Sequence, residues 1–259
     1  MNKEKVYFIG AGPGDKELLT IKGKKILEKA DLVIYAGSLV NEDLLDYCKD
    51  KCECISSAGL TLEEVTEKIK SDFFNNKLVV RLHTGDPSIY GAIREQMDIL
   101  ENEKIDFEVV PGVSSFVAAA ASIKKEFTLP NVSQTVILTR VEGRTKVPPL
   151  EDLERLAKHK TSMAIFLSVQ MIDKVVEKLK KHYPIKTKIA VVQRASWPDE
   201  KVVISDLKNI SKKVKEKNIT KTAQILVGNF LGNEYELSKL YDKSFSHEYR
   251  KAKDEKVSS

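Results

Sequence analysis

The sequence predicts an α/β protein of two α/β domains, with a mostly parallel N-terminal sheet and a mixed C-terminal sheet. Three observations carry this. In the first half, apolar runs at 5–9, 31–36, 78–82 and 106–110 alternate with amphipathic stretches at 16–29, 61–74, 87–102 and 112–123. That alternation is the pattern of a parallel sheet with helices on both faces. The second half carries apolar runs at 133–139, 162–167, 187–193, 201–205 and 223–228, with helical patterns at 149–158, 169–181 and 206–217. Two of these runs, 187–193 and 201–205, are joined across Ala195-Ser196-Trp197-Pro198-Asp199-Glu200 and read as a hairpin, so antiparallel pairing is expected there.

Taken in order, the first strand, Val6-Tyr7-Phe8-Ile9, runs into Gly10-Ala11-Gly12-Pro13-Gly14-Asp15. The stretch after it places Leu18, Leu19, Ile26 and Leu27 on one helical face, and Asp15 suits its cap. A dinucleotide-binding turn is the first reading of such a loop, and it fails on three counts. The spacing is G-x-G-x-G where the fingerprint is G-x-G-x-x-G. Pro13 removes a backbone N–H from the phosphate cradle. The second strand, Leu32-Val33-Ile34-Tyr35, ends in Ala36-Gly37-Ser38 with no acid for a ribose.

The third strand leads into Leu82-His83-Thr84-Gly85-Asp86-Pro87-Ser88-Ile89-Tyr90-Gly91. Gly85, Pro87 and Gly91 ask for special backbone geometry, and Asp86 followed by Pro87 reads as the start of a helix running to about Asn102. A ligand loop and an ordinary strand-to-helix turn explain these ten residues equally. The fourth strand ends in Val110-Pro111-Gly112-Val113-Ser114-Ser115, where either serine suits the cap of the next helix. Phe127-Thr128-Leu129-Pro130-Asn131 has a linker's composition, and residues 244–259 form a polar tail expected to be disordered.

A chain of 259 residues with 42% apolar content holds one large domain or two modest ones. It has no run of eighteen apolar residues, so no membrane helix is expected. Met1-Asn2-Lys3-Glu4-Lys5 leads straight into a strand, leaving no room for a signal peptide, and a soluble cytoplasmic protein is the expectation. The net charge of +5 suits a polyanionic small molecule and nucleic acid equally. An RNA-binding enzyme would gather its lysines into a stripe; here they alternate with acids, as in Glu177-Lys178-Leu179-Lys180-Lys181, so no nucleic-acid partner is expected. Cys48, Cys52 and Cys54 are spaced C-x3-C-x-C, which matches no common zinc pattern. They read as reduced thiols, the four histidines are dispersed, and no metal ligand is assigned.

Three segments together resemble the tetrapyrrole (class III) S-adenosylmethionine methyltransferases. They are Gly10–Asp15 with Leu18-Leu19-Thr20, then Thr84-Gly85-Asp86-Pro87, then Val110–Ser115. Within that family, Tyr35-Ala36-Gly37-Ser38-Leu39-Val40-Asn41 and Thr84–Ala92 are similar to the branch that methylates C-11 of precorrin-4 or cobalt-precorrin-4. The resemblance covers roughly Lys5 to Asn229 and thins beyond. It implies a homodimer with the active site in the cleft between the domains, 1–116 and 117–243, and S-adenosylmethionine as cofactor. Matched by motif, the donor's contacts fall on Thr84, Gly85, Asp86, Ile89, Ser114, Ser115, Leu167, Ala195 and Ala223. The first Gly-rich turn, Gly12, Pro13, Gly14 and Asp15, is assigned to the substrate side. A substrate rich in carboxylates calls for guanidinium forks, with Arg81, Arg94, Arg140, Arg144 and Arg194 as candidates. Trp197 either stacks on a macrocycle or closes a hydrophobic corner, and no general base or other catalytic residue is named. The implied reaction is C-methylation of cobalt-precorrin-4; the alternatives are metal-free precorrin-4, or an rRNA or diphthine-type acceptor on the same fold.

Overall fold

The computed structural model describes residues 5–252 and divides the chain into two compact units. The first runs to Ile123 and includes two later segments, Val192–Val202 and Thr222–Gln224. The second holds Lys124–Val191, Val203–Lys221 and the chain from Ile225.

In the first unit, strands β1 (Val6–Gly10), β2 (Leu32–Tyr35), β3 (Glu53–Ser56), β4 (Val79–His83) and β5 (Phe107–Val110) form an all-parallel sheet of order β3-β2-β4-β1-β5. Helices α1 (Ile21–Leu27), α2 (Leu62–Phe74) and α3 (Arg94–Asn102) connect β1 to β2, β3 to β4 and β4 to β5; two 3-10 helices lie between β2 and β3, and α4 (Ser115–Ser122) follows β5. The central strands are apolar on both sides because both faces are covered. Ile9, Val33, Val80 and Leu82 pack one core layer with Leu27, while Phe8, Leu32, Ile34 and Val79 pack the other with Ile69 and Leu100. A capping box starts α2: Glu64 N donates to Thr61 Oγ1 at 3.2 Å, and Thr61 N to Glu64 Oε2 at 2.7 Å.

Two expectations need correction here. The helix expected from 87 begins only at Arg94, because Tyr90 (φ 55°) and Ala92 (φ 50°) are left-handed and the stretch before α3 is loop. The stretch 16–29 splits into a 3-10 turn at Lys16–Leu18 and α1, which Thr20 caps by accepting from Gly23 N at 3.1 Å. Asp15 caps the 3-10 turn, accepting from Glu17 N at 2.9 Å.

The second sheet contains β6 (Val136–Arg140), β7 (Ser162–Phe166), β8 (Lys188–Gln193), β9 (Lys201–Asp206) and β10 (Ala223–Val227), in the order β6-β7-β10-β8-β9. It is mixed: β6 and β7 are parallel, β7 and β10 antiparallel, and β8 lies beside β9. Helices α5 (Leu153–Ala157), α6 (Ile172–Lys180) and α7 (Ile210–Glu216) complete this half, with α6 burying Ile172, Val175, Val176 and Leu179. Of the tail expected to be disordered, 253–259 lie outside the described residues, while Arg250 Nη2 donates to Leu240 O and Asp242 O. Among the described residues, no helix is long and apolar enough to cross a membrane.

Candidate active site

In the parallel sheet β1 and β4 are neighbours, yet the chain leaves β1 toward β2 and leaves β4 toward β5 on the opposite side. Such a reversal opens a crevice at the carboxyl ends of the strands, where α/β sheets bind ligands. The loops after β1, β4 and β5 meet there. Ala11 N donates to His83 O at 2.7 Å, Gly85 N to Gly12 O at 2.8 Å, and Gly12 N to Gly85 O at 3.2 Å. A Cβ on Gly10 would lie 2.6 Å from both Gly112 Cα and Gly85 O, so the three loops touch backbone to backbone. Gly85 has a left-handed φ of 61°. Asp86 locks the arrangement: Oδ1 accepts from Ser88 N at 2.8 Å and Oδ2 from Gly112 N at 2.9 Å. It ties two loops together and does not cap α3.

The segment after β8 joins them. Trp197 Nε1 donates to Pro13 O at 2.8 Å, and its indole fills the space a Cβ on Gly14 would need. Asp15 N donates to Ser196 Oγ at 3.0 Å, Asn41 Nδ2 to Gly14 O at 2.9 Å, and Arg194 N to Thr222 O at 2.8 Å. Trp197 is thus both a corner residue and the buttress of the first Gly-rich turn. Trp197→Phe keeps an aromatic ring but loses the N–H and part of the indole's volume, and is expected to cost at least about 1 kcal/mol in a urea titration.

Most of the expected donor contacts belong to the first unit. Thr84 is exposed on its loop, Gly85 is buried, and Asp86 and Ile89 are half-buried. Ser114 occupies the N-cap position of α4 but its side chain makes no capping bond, and Ser115 Oγ donates to Gln224 Oε1 at 3.2 Å. The capping role open to these serines is therefore not used. Ala223 starts β10, and Ala195 is buried in the loop that carries Trp197. Leu167, in the second unit, is 70% exposed with φ 52°. Its neighbour Ser168 fixes that turn, accepting from Val141 N at 2.9 Å and donating to Phe166 O at 2.6 Å.

The arginines divide. Arg81, expected among the carboxylate clamps, is instead buried: Nε donates to Gln96 Oε1, Nη1 to Ile34 O and Nη2 to Ser57 Oγ. Burial among these neutral oxygens lowers its pKa to about 10 and leaves it a structural post. Arg94 is exposed and pairs with Asp98 at 2.8 Å. Arg140 donates to Thr145 O and Lys146 O, shaping its own loop, while Arg144 is exposed. Arg194 lies 3.8 Å over the Trp197 ring and binds Asp199 Oδ1 at 2.6 Å.

Two residues escape sequence reasoning. Asn41 ends a branch-typical segment that suggests no task for it, and it holds the Gly14 carbonyl. Gln224 is buried with Nε2 lacking a hydrogen-bond partner, a donor reserved beside Ser115 and Ala223. A lone polar residue in the apolar run 223–228 is its signal. Gln224 with its unpartnered Nε2, the exposed Thr84 and the small residues around them fit a polar ligand held closely.

His83 is buried with Nε2 unpartnered, and burial, aided by the Arg81 charge, pushes its pKa down to about 3. It stays neutral at working pH and is too weak a base to accept a proton from substrate. Because the folded pKa lies below the unfolded value of 6.5, the unfolded chain binds the proton first. Stability from this group is complete above that value and is expected to fall by about 1.4 kcal/mol per pH unit toward the folded pKa. Urea midpoints followed against pH should show a shallower acid decline in His83→Gln.

The comparisons agree with this geometry. Residues 5–211 match the family model of tetrapyrrole (corrin/porphyrin) methylases. The cobalt-precorrin-4 C(11)-methyltransferase of Methanocaldococcus jannaschii is 58% identical, over 97% of this chain and 98% of its own. The crystal structure of a cobalt precorrin-4 methyltransferase, CbiF, aligns with TM-score 0.87 and 47% identity, over 88% of this chain and 96% of its own. A uroporphyrin-III C-methyltransferase from Thermus thermophilus, complexed with S-adenyl homocysteine, aligns with TM-score 0.74 and 26% identity, over 88% and 98%. A parallel sheet whose Gly-rich loops meet at its switch point, on a chain this similar throughout, places the protein among the tetrapyrrole (corrin/porphyrin) methylases: it belongs to that family and is a methyltransferase.

Proposed function

We propose that the chain transfers a methyl group from S-adenosylmethionine to C-11 of cobalt-precorrin-4, giving cobalt-precorrin-5A in corrin biosynthesis. The observation that carries the choice of acceptor is the 58% identity, over nearly the full length of both chains, to the cobalt-precorrin-4 C(11)-methyltransferase of Methanocaldococcus jannaschii. The S-adenyl homocysteine complexed with the Thermus thermophilus relative supports the donor.

S-adenosylmethionine, when bound, supplies a methyl group on a positively charged sulfur. That charge disappears as the methyl leaves, so a carboxylate against the sulfur would favour the ground state over the transition state. Asp86 satisfies this constraint, since both its oxygens accept backbone N–H groups from the loops. The donor is read as resting on Thr84, Gly85, Ile89, Ser114 and Ser115, with Gln224 Nε2 offering a further hydrogen bond. Fixing both reactants in line contributes roughly 7–11 kcal/mol to such a transfer, and requires neither a protein nucleophile nor a resident metal. Gly12, Pro13 and Gly14, buttressed by Trp197, are read as shaping the substrate side, and Arg94 and Arg194 as candidates for its carboxylates.

The same reading makes the enzyme a cytoplasmic homodimer acting on a small tetrapyrrole and not on nucleic acid; light scattering showing monomer alone would contradict the dimer. The reaction is tested by incubating the purified chain with enzymatically made cobalt-precorrin-4 and S-adenosylmethionine. The expected result is a corrinoid heavier by one methylene, with S-adenosylhomocysteine formed in equal amount. Turnover of metal-free precorrin-4 but not of the cobalt form would move the enzyme to the metal-free substrate.

A further inference from the structure

The three cysteines that match no zinc pattern come together in the first unit. Cys54 lies on the edge strand β3, and Cys52 immediately precedes that strand, where its N–H donates to Lys49 O at 2.8 Å. The 3-10 helix Glu42–Tyr47 ends at Cys48, whose N–H donates to Leu45 O at 2.9 Å, and this turn delivers the third sulfur to the other two. All three Sγ atoms lie within 4.8 Å of one another, and Cys54 Sγ is 4.0 Å from Cys52 Sγ. A tetrahedral zinc ion with Zn–S bonds of about 2.3 Å needs sulfurs about 3.8 Å apart. The triangle is therefore within about an ångström of a coordinating geometry. Cys48 and Cys52 are half-buried and packed against the core of this layer, while Cys54 is exposed.

We propose that Cys48, Cys52 and Cys54 bind one zinc(II) ion as thiolates, with its fourth position taken by water or another small ligand on the exposed side of Cys54. An all-sulfur set selects a soft ion such as zinc over magnesium or calcium. A disulfide uses the same atoms less well. A disulfide joins two of the three thiols and leaves the third over. The spacing hides the site because a local turn between Cys48 and Cys52, and not a C-x2-C hairpin, brings the third ligand in.

The ion would tie the edge strand to the 3-10 helix. That helix is N-capped by Asn41, whose Nδ2 holds the Gly14 carbonyl, so the site braces the first Gly-rich turn from behind. Its role is structural, and it stands independently of the substrate assigned above.

The test uses the full chain, reduced and free of tetrapyrrole, loaded with zinc chloride, dialysed and assayed for metal. Wild type is expected to retain one zinc per chain. Cys54→Ser, at an exposed position, is expected to bind it weaker by at least the roughly 10–100-fold that losing a supporting group costs a metal site. Wild type without zinc, or Cys54→Ser holding it equally well, overturns the proposal. Cobalt(II) added to wild type supplies a readout that needs no variant: a thiolate-to-metal charge-transfer band is expected, and its absence overturns the proposal.

Discussion

Gly112→Ala is expected to abolish methyl transfer and to destabilise the protein by about 3 kcal/mol. The new Cβ would run into Gly85 O and sit 2.7 Å from Gly10 Cα. Both obstacles are backbone, so no side chain can rotate away, and the loops after β1, β4 and β5 must separate. A urea titration reads the stability, and calorimetry with S-adenosylmethionine reads the donor site, where heat of binding should vanish. Gly59→Ala is the control. A Cβ there meets nothing within 4 Å, and the change should leave stability unchanged or raise it by a few tenths of a kcal/mol.

Asp86→Ala should lower kcat by about 100-fold, the effect of misplacing a reacting group by roughly an ångström. It removes the acceptor of Gly112 N and of Ser88 N at once; the part-buried Gly112 amide left without a partner costs about 1–3 kcal/mol, while the exposed Ser88 amide turns to water. Asp86→Asn keeps one carbonyl oxygen and should fall between wild type and alanine in steady-state assays. If Asp86→Ala kept the wild-type kcat, the clamp between the two loops would not be what positions the reactants.

The parts of this fold legible in the sequence are those where burial writes a pattern. The runs that form β1, β2, β4 and β5 are apolar because a parallel sheet covers both faces. Strand β3 escapes that pattern because three of the four residues Glu53-Cys54-Ile55-Ser56 are exposed and only Ile55 packs against the core, whereas β5 at the opposite edge places Phe107 and Val109 there. A helix from 87 is over-read since Asp-Pro is a common helix start; what stops it is left-handed backbone at Tyr90 and Ala92, which propensity does not report. The glycines of the three turns are visible, but not that Gly10, Gly85 and Gly112 pack against one another, which is a tertiary fact. Arg81 looks like a ligand because it stands beside a motif, and the direction its side chain takes from a central strand is invisible in composition. The cysteine triangle stays hidden because C-x3-C-x-C matches no common metal spacing, and the turn that gathers the three sulfurs is not written in it.

The proposed reaction puts one methyl group on one ring carbon, and NMR of the product locates it. Cobalt-precorrin-4 is treated with this enzyme and S-adenosylmethionine carrying an isotopically labelled methyl, and the product is examined by NMR. A single labelled methyl on C-11 is the result this account predicts. A label on another ring carbon, or a product with no label at all, would contradict it.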